Sequence, residues 1–336
     1  MNDAGVGSAD LTGVLRAGVA VRIVAVVVTH NRQAALERTL GRLLAEPVDQ
    51  VIVIDNASTD GTAEWLATVG DARLHVTRLP DNRGGAGGFA EGVAQAVARF
   101  DPDWVLVMDD DARPEPGALR QFRAMDTAGL GAVAAAVYKT GGGICDMNRP
   151  SVNPFWHHKA FLRTLMGGGR MGFHLPDAAF TGQALVPIDA ASFVGLFVSR
   201  AAIAATGLPD GRLFIYGDDV LYTLALRRAG IAMVFAPELR FEHDFQTFEG
   251  ASLAFRPLWK SYYHYRNLLL VYQSAAGLLF WPALLLILPK WAMKAKYYGP
   301  ERGLYLRLLW LAFADAMRGK LDRSHAEIVS RATLKG

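Results

Sequence analysis

The sequence predicts an α/β fold: a mostly parallel sheet with helices on both faces, followed by a helical C-terminal module. Three observations carry that expectation. The apolar runs in the first third of the chain are continuous and not alternating, as in strands buried on both faces. Segments of helical period separate them, so strand and helix alternate and the strands run parallel. Each apolar run ends in a cluster of polar residues, and an open α/β sheet binds its ligands beyond the carboxyl ends of its strands.

Taken in order, residues 21–29 read as a buried strand, 32–44 as an amphipathic helix, 51–55 as a strand and 62–69 as a helix. A strand over 74–78, a helix over 88–100 and a strand over 104–108 continue the alternation. Between 139 and 189 the period is lost while Gly, Pro, His and aromatic residues accumulate. Such a length inside a compact domain is more often functional than structural. Order resumes with a strand over 192–199, a helix over 218–229 and a strand over 231–235, and from about 256 the chain reads as helical and aromatic-rich. The expected organisation is a loose extension over 1–18, an α/β domain over 19–255 and a helical module over 256–336.

The chain of 336 residues is long enough to bury a large core. Its one cysteine, Cys145, excludes an internal disulfide framework and suits a reducing compartment. The formal net charge is +3 and no Lys/Arg run resembles a nucleic-acid arm, so no nucleic-acid partner is expected. The positive charge is concentrated late: residues 286–336 hold ten Lys/Arg against four Asp/Glu. The first eighteen residues lack the charged-then-apolar pattern of a secretory signal. An uncharged apolar stretch, 268–288, is interrupted by Gln273, Ser274, Gly277 and Pro282. It is read as a helix lying in a membrane interface, with Trp281 and Trp291 at headgroup depth and Lys290, Lys294 and Lys296 meeting anionic lipid. A membrane span and an ordinary buried helix or subunit contact are the competing accounts.

The strongest chemical signal is Asp109-Asp110-Asp111 at the end of an apolar run. Adjacent carboxylates repel one another unless a cation sits among them. In an extended segment Asp109 and Asp111 share a face and Asp110 points elsewhere. Carboxylate oxygens suit magnesium or manganese, ions that keep positions open for substrate phosphates. The structural alternative is an Asp-rich turn capping a helix that opens near Pro116. Asp55 also ends a strand and is expected to accept hydrogen bonds from a nucleotide, whereas Ser58, Thr59 and Asp60 are explained as caps of the next helix. The run Asn82-Arg83-Gly84-Gly85-Ala86-Gly87-Gly88 leads into a helix, where backbone amides can approach an anion closely. Asp218-Asp219 opens a later helix; capping needs no such pair, and one carboxylate is placed to remove a proton as a general base. His243 follows the next strands and is a candidate for a metal shell or a satisfied structural histidine.

Residues 26–32, 51–61, Asn82-Arg83-Gly84-Gly85, residues 108–111 and Gly217-Asp218-Asp219 occur in the order seen in glycosyltransferase family 2, and the chain resembles that family over about 20–250. The resemblance implies a GT-A fold, a nucleotide-sugar donor, a divalent ion (Mn2+ or Mg2+) and transfer with inversion. Within the family the Asn82–Phe89 segment with its triple Asp looks like bacterial galactofuranosyltransferases, which implies UDP-galactofuranose as donor and a lipid-linked glycan as acceptor. Carried over, Asp109, Asp111 and His243 bind metal, and Asp219 with neighbouring Asp218 serves as base. Thr29, Asn31, Arg32, Asp55, Asn82, Arg83, Gly84, Gly85 and Asp110 hold the donor. Phe155, Trp156 and His157 shape the acceptor side, with core packing of the two aromatics as the competing account. Rhamnosyltransferases of the same family, which use dTDP-rhamnose, share most of these motifs and the Tyr262–Arg266 segment. The large flanking domains of polymerising galactofuranosyltransferases are absent from this sequence. A nucleotidyltransferase lacks support, because Thr29-His30-Asn31-Arg32 is no Gly-rich loop with a Lys. A non-catalytic scaffold of a glycan-assembly complex is disfavoured by the presence of every acidic position. The expected location is the cytoplasmic face of the inner membrane, attached peripherally, with a homo-oligomer allowed.

Overall fold

A computed structural model describes residues 21–244 and 254–333. The expected N-terminal extension lies outside the described residues. The first half follows the alternation in order: β1 (Ile23–Thr29), α1 (Gln33–Leu44), β2 (Gln50–Asp55), α2 (Thr62–Leu66), β3 (Leu74–Arg78), α3 (Gly84–Phe100) and β4 (Trp104–Asp109). Then come β5 (Ala112–Pro114), α4 (Ala118–Ala124), β6 (Ala132–Lys139), α5 (His158–Arg163), α6 (Asp177–Phe180), β7 (Val186–Pro187), β8 (Leu196–Ser199), α7 (Arg200–Thr206), α8 (Asp218–Arg228) and β9 (Met233–His243). Four helices close the chain: α9 (Trp259–Ala276), α10 (Phe280–Ala292), α11 (Arg302–Arg318) and α12 (His325–Thr333).

The sheet order is β3-β2-β1-β4-β8-β6-β9-β5, with β7 on β9. β3, β2, β1 and β4 pair in parallel, as does β6 with β9, whereas β8, β5 and β7 run antiparallel to their neighbours. The parallel expectation therefore holds for the first four strands, and the later half is mixed. Alternate residues of β1 show the sandwiching. Ile23, Ala25 and Val27 pack with Leu36, Leu40 and Phe122, while Val24, Val26 and Val28 pack with Phe89, Val93 and Leu226. Both faces of the sheet are thus covered by helices, which is why its strands are apolar throughout.

Helix α3 begins four residues earlier than its period suggested, at the glycine run. The glycines serve the close approach of helix to sheet. A Cβ at Gly88 would meet Val28 Cγ1 at 2.4 Å, one at Gly92 would meet Val26 Cγ1 at 2.3 Å, and one at Gly84 (φ +69°) would meet the Phe214 carbonyl oxygen at 2.1 Å. β6, Ala-Val-Ala-Ala-Ala-Val-Tyr-Lys, escaped the sequence reading because alanine is depleted in strands. Its small side chains suit the crowding there: a Cβ at Gly195 would lie 3.0 Å from that of Ala135. β9 is longer than expected: residues 237–239 bulge out where its partner β6 steps from Ala135 to Ala136, and pairing resumes at Arg240 and runs to His243.

The C-terminal helices gather their own apolar cluster around Tyr262, Tyr265, Phe280, Trp291, Tyr305 and Ile328, into which Phe155, Phe214 and Ile215 also pack. Buried Asp315 of α11 accepts from Tyr262 Oη at 2.8 Å and from Arg323 Nη2 at 3.0 Å, tying α9 to the approach of α12.

The glycine contacts give opposite expectations for two helix positions. Gly92→Ala should destabilise by about 1–3 kcal/mol, overpacking outweighing the helix preference of alanine. Gly41→Ala in α1, where a Cβ meets nothing within 4 Å, should stabilise by up to about 1 kcal/mol. Chemical denaturation of the two variants checks the pair, and equal signs would contradict the packing argument.

Candidate active site

The ends of β4, β5 and β9 build the acidic centre. β4 closes at Asp109, Asp110 and Asp111 make a tight turn, and β5 starts at Ala112, which pairs with His243 across the antiparallel ladder. That register places His243 Nε2 3.1 Å from Asp111 Oδ1, although the residues are 132 apart in sequence. Ligand atoms of Asp109, Asp111 and His243 all lie within 4.8 Å of one another. Atoms about 2.1 Å from one ion lie within about 4.2 Å of each other, so a contraction of a few tenths of an ångström closes the set. Two carboxylates and an imidazole suit manganese or a similar ion. The residues present therefore fit a divalent cation. The far side of His243 is also fixed: Nδ1 lies 2.8 Å from Asn148 Oδ1, and Asn148 Nδ2 donates to Ser192 Oγ at 3.0 Å.

Burial, with the charge of Asp111 adding, pushes the Asp109 carboxyl up to about 7. Burial also works against ionisation of Asp111, but the hydrogen bonds and charges of His243 and Arg32 outweigh it and hold that carboxyl below its ordinary value. For His243 burial favours the neutral ring, yet the hydrogen bond to Asp111, then Cys145 and the charges of Asp111 and Asp109, raise it to about 10. The metal-free centre thus carries protons that a cation must displace. The Asp residues do not cap α4. Glu46 does so, accepting from Gly117 N at 2.5 Å and Leu119 N at 3.0 Å.

Asp110 turns away, as expected, though through a turn and not through strand alternation. It accepts from Thr29 Oγ1 at 2.7 Å and from Arg32 Nη1 at 3.3 Å, and Arg32 also pairs with Asp111. Asp110 therefore anchors Thr29 and Arg32 at the crevice edge. Next to them, Asp55 is fully buried at the end of β2: its Oδ1 accepts from Ser58 N at 2.9 Å, while Oδ2 has no hydrogen-bond partner and lies 3.6 Å from Arg78 Nε. Asn31, at φ 54°, accepts from Thr59 N at 2.6 Å and donates its own amide to Ser58 Oγ at 2.9 Å. Asn56, passed over as a candidate, joins the two halves of this edge. Its Oδ1 accepts from Arg83 N at 2.8 Å and its Nδ2 donates to the Gly84 carbonyl at 2.7 Å. The amides of Gly84 and Ala86 are already taken, by Asn82 Oδ1 at 2.8 Å and the Phe214 carbonyl at 3.0 Å. Half-buried Gly85 has open space where a Cβ would stand.

Asp218 and Asp219 open α8 behind left-handed Gly217. Asp219 Oδ1 accepts from Val220 N at 2.7 Å, so the carboxylate is held by its own helix end. Burial pushes Asp219 up to about 6, against backbone hydrogen bonds from Val220 and Phe193, and burial with the charge of Asp219 raises Asp218 well above its ordinary value. The charge of Asp219 in turn helps to raise Asp109, so the two carboxylates are near enough to repel one another. The preceding loop holds two strained residues, Phe214 at φ 68° and Tyr216 at φ 69°. A clamp from α9 supports them. Buried Asn267 donates Nδ2 to the carbonyls of Leu213, Ile215 and Tyr216 at 3.0, 2.8 and 2.8 Å, and Arg266 donates to Leu213 O at 2.9 Å. Arg266 is itself oriented on Asn267 Oδ1 at 2.8 Å and stacked against Tyr262 and Tyr263. The aromatic segment 262–266 was visible in the sequence; its link to a loop fifty residues earlier was not.

The three aromatic candidates of the loop region separate. Phe155 packs into the C-terminal cluster, Trp156 is 39% exposed, and His157 Nε2 lies 2.7 Å from buried Asp189, which Arg227 also engages at 2.9 Å.

Residues 24–185 match the family model Glycosyl transferase family 2. Galactofuranosyltransferase GlfT1 of Mycobacterium tuberculosis (strain ATCC 25618 / H37Rv) is 33% identical over 213 residues, 62% of this chain and 66% of that protein. The chain belongs to glycosyl transferase family 2. The match spans just under two thirds of that relative's own length. Two solved structures share the fold: GalNAc-T7 with UDP, GalNAc and Mn2+ (TM-score 0.52, 13% identity, 75% of this chain and 48% of that one) and S. aureus TarS 1-349 in complex with UDP-GlcNAc (TM-score 0.51, 15% identity, 90% and 88%). The family 2 chain thus has the GT-A architecture, with a C-terminal helical region beyond the matched residues.

Two outcomes follow from this geometry. Cation binding at Asp109, Asp111 and His243 must displace protons from groups near 7 and 10, so apparent Mn2+ affinity should rise from pH 6 to 8. Titration calorimetry in buffers of different ionisation enthalpy reads the released protons, and His243→Ala should weaken binding about tenfold or more. For the α9 clamp, Asn267→Ala removes the side-chain donor to the Ile215 and Tyr216 carbonyls, while Leu213 keeps Arg266, and should cost about 1–3 kcal/mol. Hydrogen exchange over 213–217 should speed up while Mn2+ affinity stays; unchanged exchange would remove the clamp from the account.

Proposed function

We propose that the chain is a metal-dependent inverting glycosyltransferase that moves galactofuranose from UDP-galactofuranose to a hydroxyl of a lipid-linked cell-surface glycan. The single observation that carries this reading is the convergence of ligand atoms of Asp109, Asp111 and His243 within 4.8 Å of one another, near enough to Asp219 for its charge to act on Asp109. The choice of sugar follows the relatives, several of which are galactofuranosyltransferases. Two TM-score neighbours above 0.5 hold UDP or UDP-GlcNAc, which supports a nucleotide-sugar donor.

In this reading Asp109, Asp111 and His243 hold the cation, which when bound supplies neutralisation of the charge on the departing diphosphate. Thr29, Asn31, Arg32 and Asp55 seat the nucleotide, and the unpartnered Oδ2 of Asp55 is the acceptor waiting for a donor N–H. Asn82, Arg83, Gly84 and Gly85 line the adjoining edge, and Asp110 keeps Arg32 in place. Asp219, raised toward neutrality, takes the proton of the attacking hydroxyl, with Asp218 beside it. Trp156 and His157 offer the acceptor side, and Phe155 sets their backbone by packing beneath. The basic C-terminal module, residues 256–336, rests on the cytoplasmic leaflet, since Leu278 before α10 and Trp281, Leu285 and Leu286 on it are exposed.

Donor hydrolysis and transfer with UDP-galactofuranose and dTDP-rhamnose, each with Mn2+, test the reading; preference for dTDP-rhamnose would make the enzyme a rhamnosyltransferase, and silence with both would leave the scaffold. Asp219→Asn should keep donor affinity and lose about 10²-fold or more in turnover. The wild-type rate should fall as pH drops through about 6 or below, because the base must be ionised and a bound cation only lowers its pKa.

A further inference from the structure

An excursion of the α/β unit, residues 158–172, exposes an apolar surface. α5 leads into a tight turn at Gly167, Gly168 and Gly169 and returns through a short 3-10 segment. The finger is closed by its own bonds: Thr164 Oγ1 donates to Ala160 O at 2.8 Å and Arg163 Nε to Gly172 O at 3.2 Å. Four large apolar side chains nevertheless face solvent, Leu162 at 55%, Leu165 at 66%, Met166 at 77% and Met171 at 61%. Single exposed apolar residues are ordinary, but four on one short finger form a patch that calls for a partner.

Charge identifies the partner. Lys159, Arg163 and Arg170 lie among these residues, and no Asp or Glu occurs between Asp146 and Asp177. α10 has the same chemistry: Leu278, Trp281, Leu285, Leu286 and Met293 are exposed, and residues 250–300 contain no carboxylate. The two surfaces adjoin. Asn153 Nδ2 donates to the Ala275 carbonyl at the end of α9 at 3.0 Å, and Phe155 meets Phe161 at 6.0 Å while packing into the C-terminal cluster. Burial chiefly, with the charges of Lys294 and Arg170 adding, holds His264 of α9 down at about 4, so a cation from each surface reaches the same imidazole. A two-fold contact between copies through the finger would bring its cations against their own equivalents. An anionic bilayer takes apolar chains and cations together.

We propose that residues 158–172 are a membrane finger that seats Leu162, Leu165, Met166 and Met171 in the headgroup boundary of an anionic bilayer, a second attachment beside α10. This rests on the reading that the chain works at a membrane. Two separated points fix the roll of the molecule on the bilayer as well as its distance, and Trp156 and His157 lie at the root of the finger.

The test uses the full chain and vesicles of phosphatidylcholine with or without phosphatidylglycerol. Leu165→Glu/Met166→Glu should lower partition onto the anionic vesicles about tenfold or more, with an unchanged melting temperature because both side chains stand in solvent. Met166→Cys carrying an environment-sensitive dye should shift to the blue on those vesicles, and Cys145, 2% exposed, leaves the label at one place. If Leu285→Glu/Leu286→Glu abolishes partition while the finger variant binds as wild type and the dye stays in water, the finger is overturned and the membrane reading stands. If wild type binds neither vesicle, both fall. Loss of a dimer from the finger variant without vesicle binding would assign the patch to a second copy and overturn the proposal.

Discussion

Repulsion among carboxylates is the constraint around which this molecule is arranged. Asp109, Asp111, Asp218 and Asp219 come from two distant parts of the chain to within reach of one another's charge, and burial makes each of Asp109, Asp218 and Asp219 resist ionisation. Nothing in that arrangement favours folding. The stabilisation comes from the two apolar layers on either side of the sheet and from the register of β5 on β9. Such a site costs the fold free energy until a cation and a substrate hydroxyl resolve the charge, which is how a scaffold stores selectivity for a positively charged ligand.

Side-chain amides do the joining. Asn56 bridges the end of β2 to the start of α3, Asn148 fixes the outer nitrogen of His243, and Asn267 gathers three carbonyls of the loop before α8. Each is buried and each binds chain segments that the sheet alone leaves apart. An amide serves here because it donates and accepts without adding charge to an edge already crowded with it.

The legible part of this protein was the part whose signals are local. Buried strands announced themselves by unbroken apolar runs, so β1 to β4 and their helices were placed to within a few residues. Asp109 and Asp111 stand out because adjacent acids at a strand end repel one another unless a cation sits among them, and they converge through a turn and not through the pleat. What remained hidden depends on pairing at long range. β6 looks unlike a strand because its alanines answer to Gly195 and Phe241 on neighbouring chain segments. The ligand geometry of His243 is set by a ladder between β5 and β9, and that of Asp219 by a clamp on α9. Within α3 the absence of a side chain at Gly88 and Gly92 answers to Val28 and Val26, contacts that no local pattern encodes.

The α9 clamp has a consequence for how this family 2 chain can be cut and recombined. The matched family segment ends at 185, yet the loop leading into Asp218 and Asp219 at the start of α8 is held by Arg266 and Asn267. A shortened protein ending after β9 would retain Asp109, Asp111, Asp218, Asp219 and His243 and still enter α8 through an unsupported loop. Grafting a foreign C-terminal region would succeed only where the incoming helix restores an arginine and an asparagine at the same height, so the unit of exchange in this lineage is the sheet together with α9.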